Sequence, residues 1–323
     1  MKRYLSVDCG GTKTAFLLCD ENGVAKASCI LGPANYMVNG IDACINILKE
    51  GIDYVCSADK ISRGDITGTF IALAGFKDIP DDVPRITKMV EEAFPEMKIT
   101  LGNDTENALG GSLLGKRGIH LIAGTGAIGL GHDENGDYIR SSGWHHLFGG
   151  DEGSGYWIGC RLIQHFTKQA DGREEKTQLY DYVMEKYNLG CPENILELVI
   201  NQWNGDRDKI ASMSLDVYEL AKKNDKVALS IFEEAGKELA MIVKSIYNQG
   251  DFQKPTLISY SGGVFKSFDF FRVSIEENLA EMEFQFVKPS LLPVAGGIIL
   301  ACENAGDIVA EEMLQNLKES QKF

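Results

Sequence analysis

Two related stretches decide the fold: GTKTAFLLCDENG at residues 11–23 and GTGAIGLGHDENG at residues 124–136. Aligned without a gap, they share Gly, Thr, Leu, Asp, Glu, Asn and Gly. In each, a glycine turn leads into a short apolar strand that ends in Asn-Gly, which predicts a hairpin with a type I′ turn. Turn residues are common, so chance similarity is the alternative, but a gap-free match favours duplication of one structural unit.

The elements predicted around the two stretches follow a common order. Around the first stretch we predict strands at residues 4–7, 15–19 and 25–31, then a helix at 41–56, a strand at 69–74, a helix at 83–94, a strand at 98–101 and a helix at 105–114. Around the second we predict strands at 119–123, 128–132 and 138–142, a helical insertion at about 153–250, a strand at 256–260, a helix at 268–280, a strand at 284–287 and a helix from 292. The periodicities therefore predict an α/β fold with two copies of one domain.

The length of the chain agrees with two domains, because single cores rarely grow beyond about 250–300 residues. We place the first domain at residues 1–116, joined by a C-terminal helix at 307–323, and the second at residues 117–306 with the helical insertion.

Charge and hydropathy narrow the class of partner. Lys and Arg number 32 against 47 Asp and Glu, a net charge of −15 that argues against nucleic acid or an anionic membrane surface. No stretch approaches the roughly 18 apolar residues of a membrane span, so we expect a cytoplasmic protein. In so acidic a chain, a phosphate group would be bound by backbone N–H groups, helix N-termini and a divalent cation.

The glycine turns are candidate phosphate loops. Gly10 and Gly11 open the first, and Gly124 to Gly126 form the second. Glycines let a phosphate approach the backbone, and the hydroxyls of Thr12, Thr14 and Thr125 are further candidate donors. One such loop is weak evidence, because glycines also turn hairpins for structural reasons; two related loops predict a nucleotide held by successive phosphates.

Three glycine-containing segments of the chain resemble motifs of a known superfamily. Asp8-Cys9-Gly10-Gly11-Thr12-Lys13-Thr14 is similar to the first phosphate loop of the sugar kinase–Hsp70–actin superfamily, Ala123-Gly124-Thr125-Gly126 to the second, and Ser261-Gly262-Gly263 to its adenosine motif. The segment GWHHLFGGDEGSGYW, residues 143–157, resembles a signature of N-acetylglucosamine kinases in the BadF/BadG/BcrA/BcrD ATPase family.

The resemblance implies two ribonuclease H-like (actin-like ATPase) domains with an interdomain cleft that closes on the substrates. It implies a Mg²⁺-dependent kinase that transfers the γ-phosphoryl group of ATP to the 6-hydroxyl of an amino sugar, in a possible homodimer. The expected ATP-binding residues lie in the two phosphate loops and the adenosine motif: Gly10, Gly11, Thr12, Lys13, Thr14, Gly124, Thr125, Gly126, Gly262 and Gly263.

Two aspartates are candidates for the chemistry. Asp8 follows the first strand and would hold Mg²⁺ against the phosphates, or else would accept hydrogen bonds from its loop. Asp104 lies where a strand meets a helix and would take the proton of the attacking hydroxyl, or else would be an N-cap. The family uses the aspartate of this junction as catalytic base and for sugar binding, which favours the functional role for Asp104.

Three further residues are expected to contact the sugar through the resemblance. Asn35 lies in a loop between strand and helix, where asparagine also serves turns. Gly143 opens the signature segment, and Asp151 lies in its glycine-rich part, where an acid could equally be a solvated helix start. Carboxylates are good acceptors for sugar hydroxyls.

One departure leaves the identity of the sugar open. The related kinases carry a polar Ser-Asn pair after the second phosphate loop, and this chain has Ala127-Ile128. The candidates are N-acetylglucosamine, glucosamine, N-acetylmuramic acid or a related compound. Two other functions remain possible: an ATPase that activates an electron-transfer enzyme, for which Cys160 and Cys191 lack a cluster-like context, and a non-catalytic sugar sensor.

Overall fold

A computed structural model describes residues 1–320, and these form two compact units. The first unit combines residues 1–117 with the segment from residue 287 onwards, and the second unit comprises residues 118–286. The first boundary lies one residue from the one predicted.

Each unit contains one mixed sheet of five strands. The strands are β1 (Arg3–Cys9), β2 (Thr14–Asp20), β3 (Ala25–Leu31), β4 (Gly68–Leu73), β5 (Ile99–Gly102), β6 (Gly118–Ala123), β7 (Ala127–His132), β8 (Tyr138–Ser142), β9 (Thr256–Ser261) and β10 (Phe284–Val287). The helices are α1 (Tyr36–Asn39), α2 (Ile41–Asp59), α3 (Val83–Ala93), α4 (Asp104–Leu113), α5 (Gly155–Ala170), α6 (Gln178–Lys186), α7 (Asn194–Leu196), α8 (Arg207–Ser212), α9 (Ser214–Lys222), α10 (Lys226–Gln249), α11 (Arg272–Asn278), α12 (Pro293–Asn304) and α13 (Glu311–Glu319).

The two sheets have equivalent strand orders. The first runs β3-β2-β1-β4-β5, with β1 antiparallel to β2 and parallel to β4. The second runs β8-β7-β6-β9-β10, with β6 antiparallel to β7 and parallel to β9. Each unit therefore repeats a three-strand meander followed by a parallel crossover, which confirms the predicted duplication and the α/β class.

The twin hairpins fold alike down to their turn. The carboxylate of Asp20 accepts the backbone N–H groups of Asn22 and Val24, and that of Asp133 accepts those of Asn135 and Asp137, all at 2.9–3.0 Å. The final glycine of each stretch has positive φ, 77° and 88°, whereas the asparagine before it does not. The predicted type I′ turn is therefore wrong: each hairpin has a longer loop with glycine at its left-handed position.

The second boundary between the units lies earlier than predicted, because α12 belongs to the first unit. Gly296 packs so closely on α4 that a Cβ there would lie 2.2 Å from the Asn107 carbonyl oxygen and from the Gly111 nitrogen. Only glycine permits this approach, and the buried apolar face of α12 completes a core with β1, β2 and β4. The predicted second domain of residues 117–306 is therefore shortened at its end to residue 286.

The insertion is helical, as predicted, and it supplies most of the core of the second unit. Its helices α5 to α10 pack their apolar faces together and against β6. The predicted C-terminal helix at 307–323 is observed as Glu311–Glu319, and residues 321–323 lie outside the described part. Within residues 1–320, no helix has the length and apolar character needed to cross a bilayer.

Candidate functional site

The first glycine loop begins directly after β1. The Gly10 N–H donates to the Lys13 carbonyl at 3.0 Å, which closes a tight turn. Gly11 has no atom within 4 Å of the position that a Cβ would take, and its φ is not positive. Neither packing nor backbone strain requires glycine there, so the open space beside Gly11 is available to a ligand. Gly11, Thr12 and Lys13 are all exposed.

Thr14 has a different role from the one expected for its hydroxyl. The side chain is fully buried, donates to the Gly32 carbonyl at 2.9 Å and accepts the Ala34 N–H at 2.9 Å. In this structure the hydroxyl is therefore not available to a phosphate, because it fixes the loop that carries Asn35. The sequence does not distinguish a buried threonine at the start of a strand from an exposed threonine in a loop. The hydrogen bonds of the Thr14 hydroxyl to Gly32 and Ala34 therefore could not be predicted.

Asn35 begins the short helix α1. Its Oδ1 accepts the N–H groups of Met37 and Val38 at 2.9 and 3.3 Å, so the oxygen caps the helix. No described residue is observed to accept from its Nδ2, and this amide group can donate to a sugar hydroxyl. The structural role of Asn35 is thus observed and its sugar contact stays a prediction.

Asp104 is the first residue of α4, and it is not the N-cap. Asn103 is the cap: its Oδ1 accepts the Thr105 N–H at 3.0 Å, and Glu106 accepts the Asn103 N–H at 3.0 Å in a capping box. Lys77 pairs with the buried Glu106 at 2.7 Å and supports the box. The helix therefore does not need Asp104 as its N-cap.

The surroundings of Asp104 and of Asp8 both favour the protonated carboxyl group. Burial raises the pKa of Asp104 to about 6, and the negative charge of Asp8 contributes in the same direction. Burial also raises the pKa of Asp8, while the Asn107 amide and Lys13 oppose that shift. A carboxyl group with a pKa near neutrality is suited to accept a proton at physiological pH.

The surroundings of Asp8 fit a magnesium ion. Asn107 Nδ2 donates to Asp8 Oδ1 at 3.0 Å, and within residues 1–320 the second carboxylate oxygen accepts no observed hydrogen bond. The loop N–H groups do not bond to it, so the alternative of a turn-forming aspartate is not what is seen. Mg²⁺ in kinases commonly uses one or two carboxylates and completes its shell with phosphates and water. No group of three metal-ligating side chains is found among the described residues, which excludes only a preformed cage there.

In the second unit, the start of α5 holds the glycine loop. The N–H groups of Gly155 and Tyr156 donate to the carbonyls of Gly124 and Thr125 at 2.8 and 3.2 Å. A Cβ on Gly124 would meet no atom within 4 Å, as at Gly11. The Thr125 hydroxyl donates to Asp208 at 3.0 Å, so it also has a partner within the unit.

Asp151 is buried and makes two contacts that the sequence did not predict. Its Oδ1 accepts the Ala127 N–H at 3.1 Å, and its Oδ2 accepts Arg207 Nη2 at 2.5 Å. Gly126 lies against this pair, and a Cβ there would be 2.4 Å from Arg207 Nη2. In this structure Asp151 therefore shapes the end of the loop, and a direct contact with sugar stays a prediction.

Gly143 lies beside the departure at Ile128. Gly143 has φ of +73°, and a Cβ there would lie 3.0 Å from Ile128 Cδ1. The isoleucine side chain therefore lies against a residue expected to touch the sugar.

The turn after β9 carries the predicted adenosine motif. Gly262 has φ of +101° and a Cβ would lie 2.2 Å from the Ala123 carbonyl oxygen, so the backbone requires glycine. Gly263 is exposed and has open space around it. Below the turn, His120 Nδ1 and Nε2 lie 2.7 and 2.9 Å from the hydroxyls of Ser259 and Ser261, and burial lowers the His120 pKa to about 3.

Sequence reasoning missed three residues of the second unit, namely His120, Arg207 and Asp208. All three approach the glycine turns only through the tertiary fold, and none lies in a recognisable motif. Arg207 and Asp208 belong to the helical insertion, more than eighty residues from the loop that they contact. No local signal could have identified them.

Comparison with known proteins agrees with this arrangement. The model of the BadF/BadG/BcrA/BcrD ATPase family matches residues 5–319. An N-acetylmuramic acid/N-acetylglucosamine kinase of Clostridium acetobutylicum is 29% identical over 306 residues, covering 93% of this chain and 98% of the relative. An N-acetyl-D-glucosamine kinase of Dictyostelium discoideum is 29% identical over 271 residues, covering 80% of this chain and 84% of the relative.

Solved structures share the fold. A protein of Chromobacterium violaceum, taken to be an N-acetylglucosamine kinase, superposes with a TM-score of 0.70 at 21% identity and covers 93% of this chain and 99% of its own. A glucokinase of the ROK family from Streptomyces griseus, in complex with glucose and AMPPNP, gives 0.53 at 17% identity, covering 93% and 98%. The two sheets are thus those of the actin-like ATPase fold, and with its family match over nearly the whole length the chain belongs to the BadF/BadG/BcrA/BcrD ATPase family.

Proposed function

We propose that this protein is an ATP-dependent kinase of an amino sugar. The observation that carries the proposal is Asp104, a carboxylate with a pKa of about 6 that is not needed as a helix cap and lies within the electrostatic reach of Asp8. The two open glycine loops and the kinase activities of the relatives from Clostridium and Dictyostelium support the same function.

Each step of phosphoryl transfer has a candidate residue. Asp104 takes the proton of the sugar hydroxyl. The hydroxyl oxygen forms a bond to the γ-phosphorus of ATP, and the bond between that phosphorus and the oxygen of ADP breaks. The backbone of the loops at Gly11 and Gly124 binds phosphate oxygens. Asp8 would hold Mg²⁺, which when bound neutralises charge on the phosphates.

The sugar is an amino sugar whose contacts differ in part from those that the resemblance to N-acetylglucosamine kinases implies. Ile128 offers no hydrogen bond, so the hydroxyl that a polar residue would bind there must face an apolar side chain. Asn35 Nδ2 and Asp104 remain as polar contacts. We propose the 6-hydroxyl as acceptor on the resemblance to the family alone.

The first experiment is ADP release from Mg·ATP with N-acetylglucosamine, glucosamine, N-acetylmuramic acid, N-acetylmannosamine and glucose. A strong response to one amino sugar supports the kinase. Hydrolysis of ATP at the same rate with or without every sugar would instead favour an ATPase that activates another enzyme. Sugar binding without any ADP release would favour a sensor.

The pH dependence of the reaction should follow Asp104. The base must be ionised, and its pKa is raised to about 6, so activity is lost as the pH falls through 6. We expect kcat/KM for the sugar to rise about tenfold per pH unit below 6 and to level off above about 7. Initial rates between pH 5 and 8 with saturating Mg·ATP test this; a plateau that extends down to pH 5 would contradict it.

The adjacent glycines of the adenosine motif should respond differently to alanine. Gly262→Ala should destabilise the second unit by about 2–4 kcal/mol, because positive φ and the 2.2 Å approach to Ala123 both oppose a Cβ. Gly263→Ala should leave thermal stability unchanged and weaken ATP binding, because its Cβ would occupy open space near the nucleotide. Thermal melts and nucleotide titrations separate the two effects, and unchanged ATP affinity in Gly263→Ala would remove this residue from the site.

A further inference from the structure

Arg207 contributes a cation to the surroundings of the second glycine loop. It is the first residue of α8, and its guanidinium lies against Gly126 and pairs with Asp151 Oδ2 at 2.5 Å. The next residue, Asp208, accepts the Thr125 hydroxyl at 3.0 Å. Two consecutive residues of the insertion thus contact the loop directly or through Asp151. In a chain of net charge −15, a guanidinium beside this glycine loop supplies a local positive charge that attracts anions.

The ion pair with Asp151 leaves donors of Arg207 unused. A guanidinium has five N–H donors in a planar fork, and Asp151 engages one nitrogen. The Nε atom is buried and no described residue accepts from it. About a third of the side chain is exposed, so the rest of the fork is accessible from solvent.

His146 contributes a second buried polar atom without an observed partner. His146 Nδ1 is buried and makes no hydrogen bond with any described residue. Burial, then the charges of His145 and Arg207, lower the pKa of His146, and Asp151 opposes them. The imidazole therefore lies within electrostatic reach of both members of the ion pair. Buried polar atoms are usually paired in proteins, so the Arg207 Nε–H is a candidate donor to a ligand.

We propose that Arg207 binds an oxyanion of the substrates beside Gly126. This inference rests on the proposed kinase function and extends it to a residue of the insertion. Arginine binds carboxylate and phosphate through parallel N–H groups, so the shared chemistry is an anionic oxygen pair. Two sources can supply it: a phosphate of the nucleotide, or a carboxylate substituent on the amino sugar.

The test compares Arg207→Gln and Arg207→Ala with Lys209→Gln, a control on the exposed face of the same helix. Affinity for ATP is titrated without sugar, and KM is measured for N-acetylglucosamine and for N-acetylmuramic acid, which carries a carboxylate. Loss of ATP affinity of about tenfold or more assigns a phosphate. A rise of similar size in KM for N-acetylmuramic acid alone assigns the carboxylate.

A purely structural role is excluded by two further measurements. Arg207→Lys keeps a cation that can pair with Asp151 but lacks the planar fork of donors, so a loss of ligand binding in Arg207→Lys at an unchanged melting temperature cannot come from the ion pair alone. Added guanidinium should partly restore ligand binding to Arg207→Ala. Unchanged affinity for ATP and for both sugars in Arg207→Gln, or a loss that merely follows a lower melting temperature, overturns the proposal. If the native protein phosphorylates no sugar, KM cannot be measured, but calorimetric titrations of each variant with ATP and with N-acetylmuramic acid still decide the role of Arg207, so the two failures are distinguishable.

Discussion

Asp104→Asn should lower kcat by about 10²–10⁴-fold while the protein stays folded and still binds sugar. An amide cannot accept the proton of the attacking hydroxyl, but it is isosteric with the carboxylate and keeps its hydrogen-bonding reach. The helix keeps its cap without the charge of Asp104, because Asn103 and Glu106 form the capping box and an amide oxygen can still accept the backbone N–H groups that face the carboxylate. Single-turnover rates and a sugar titration by calorimetry give the two quantities independently.

The same substitution should stabilise the free protein at neutral pH. A raised pKa means that folding favours the protonated carboxyl group of Asp104. The contribution of this group to the free energy of unfolding is fully present below 3.8, the pKa in the unfolded chain, and is lost as the pH rises through the folded-state pKa of about 6. The rise from 3.8 to about 6 corresponds to about 3 kcal/mol at pH 7.5, an upper figure. Asp104→Asn removes this cost, so its melting temperature should exceed that of the native protein at pH 7.5 and approach it at pH 4.

Asp42→Asn is the matched control, since Asp42 is an exposed acid in the first turn of α2. It should leave kcat unchanged, and it should not raise the melting temperature at pH 7.5, because it removes a negative charge from a helix N-terminus. Loss of helix and of sugar binding together in Asp104→Asn would show that the residue serves the fold and would contradict its role as base.

The duplicated hairpin could be predicted from the sequence because its signal is local. Asn-Gly after an apolar strand and glycine before it specify a hairpin within about a dozen residues, and a second copy of the phrase identifies the duplication. The type of turn in both hairpins was predicted wrongly, and the other differences concern features set by tertiary contact. The path of the chain back to the first unit was placed too late because the approach of Gly296 to Asn107 is not visible in either helix alone.

The candidate site divides in the same way. Asp8 and Asp104 were chosen as candidates because each lies near the C-terminal end of a strand, and their catalytic and metal-binding roles stay predictions. Thr14 was assigned a ligand contact from residue type, but burial commits its hydroxyl to the backbone of the Asn35 loop. Asp151 was expected to contact the sugar because of the resemblance to the kinase family. Only the structure shows that Arg207 from the insertion pairs with it.

Asp8→Asn should abolish the effect of Mg²⁺ on nucleotide binding and lower kcat/KM by about 10³-fold. The substitution removes the charge that would hold the cation, while the shape of the side chain at the end of β1 is kept. Without metal, the affinity for ATP should stay the same or increase, because one negative charge near the phosphates is gone. Titrations of ATP with Mg²⁺ and with a chelator therefore provide the effect and its internal control in one variant.

The two roles considered for Asp8 predict opposite patterns in these titrations. If the carboxylate only shaped the loop, Asp8→Asn would weaken ATP binding equally with and without Mg²⁺, and the melting temperature would fall. If it holds the cation, the loss appears only with Mg²⁺, and the melting temperature stays the same or rises, because burial already opposes the charge of Asp8 in the free protein. The second pattern is expected, since the carboxylate bonds to Asn107 on α4 and to none of the described N–H groups of its own loop.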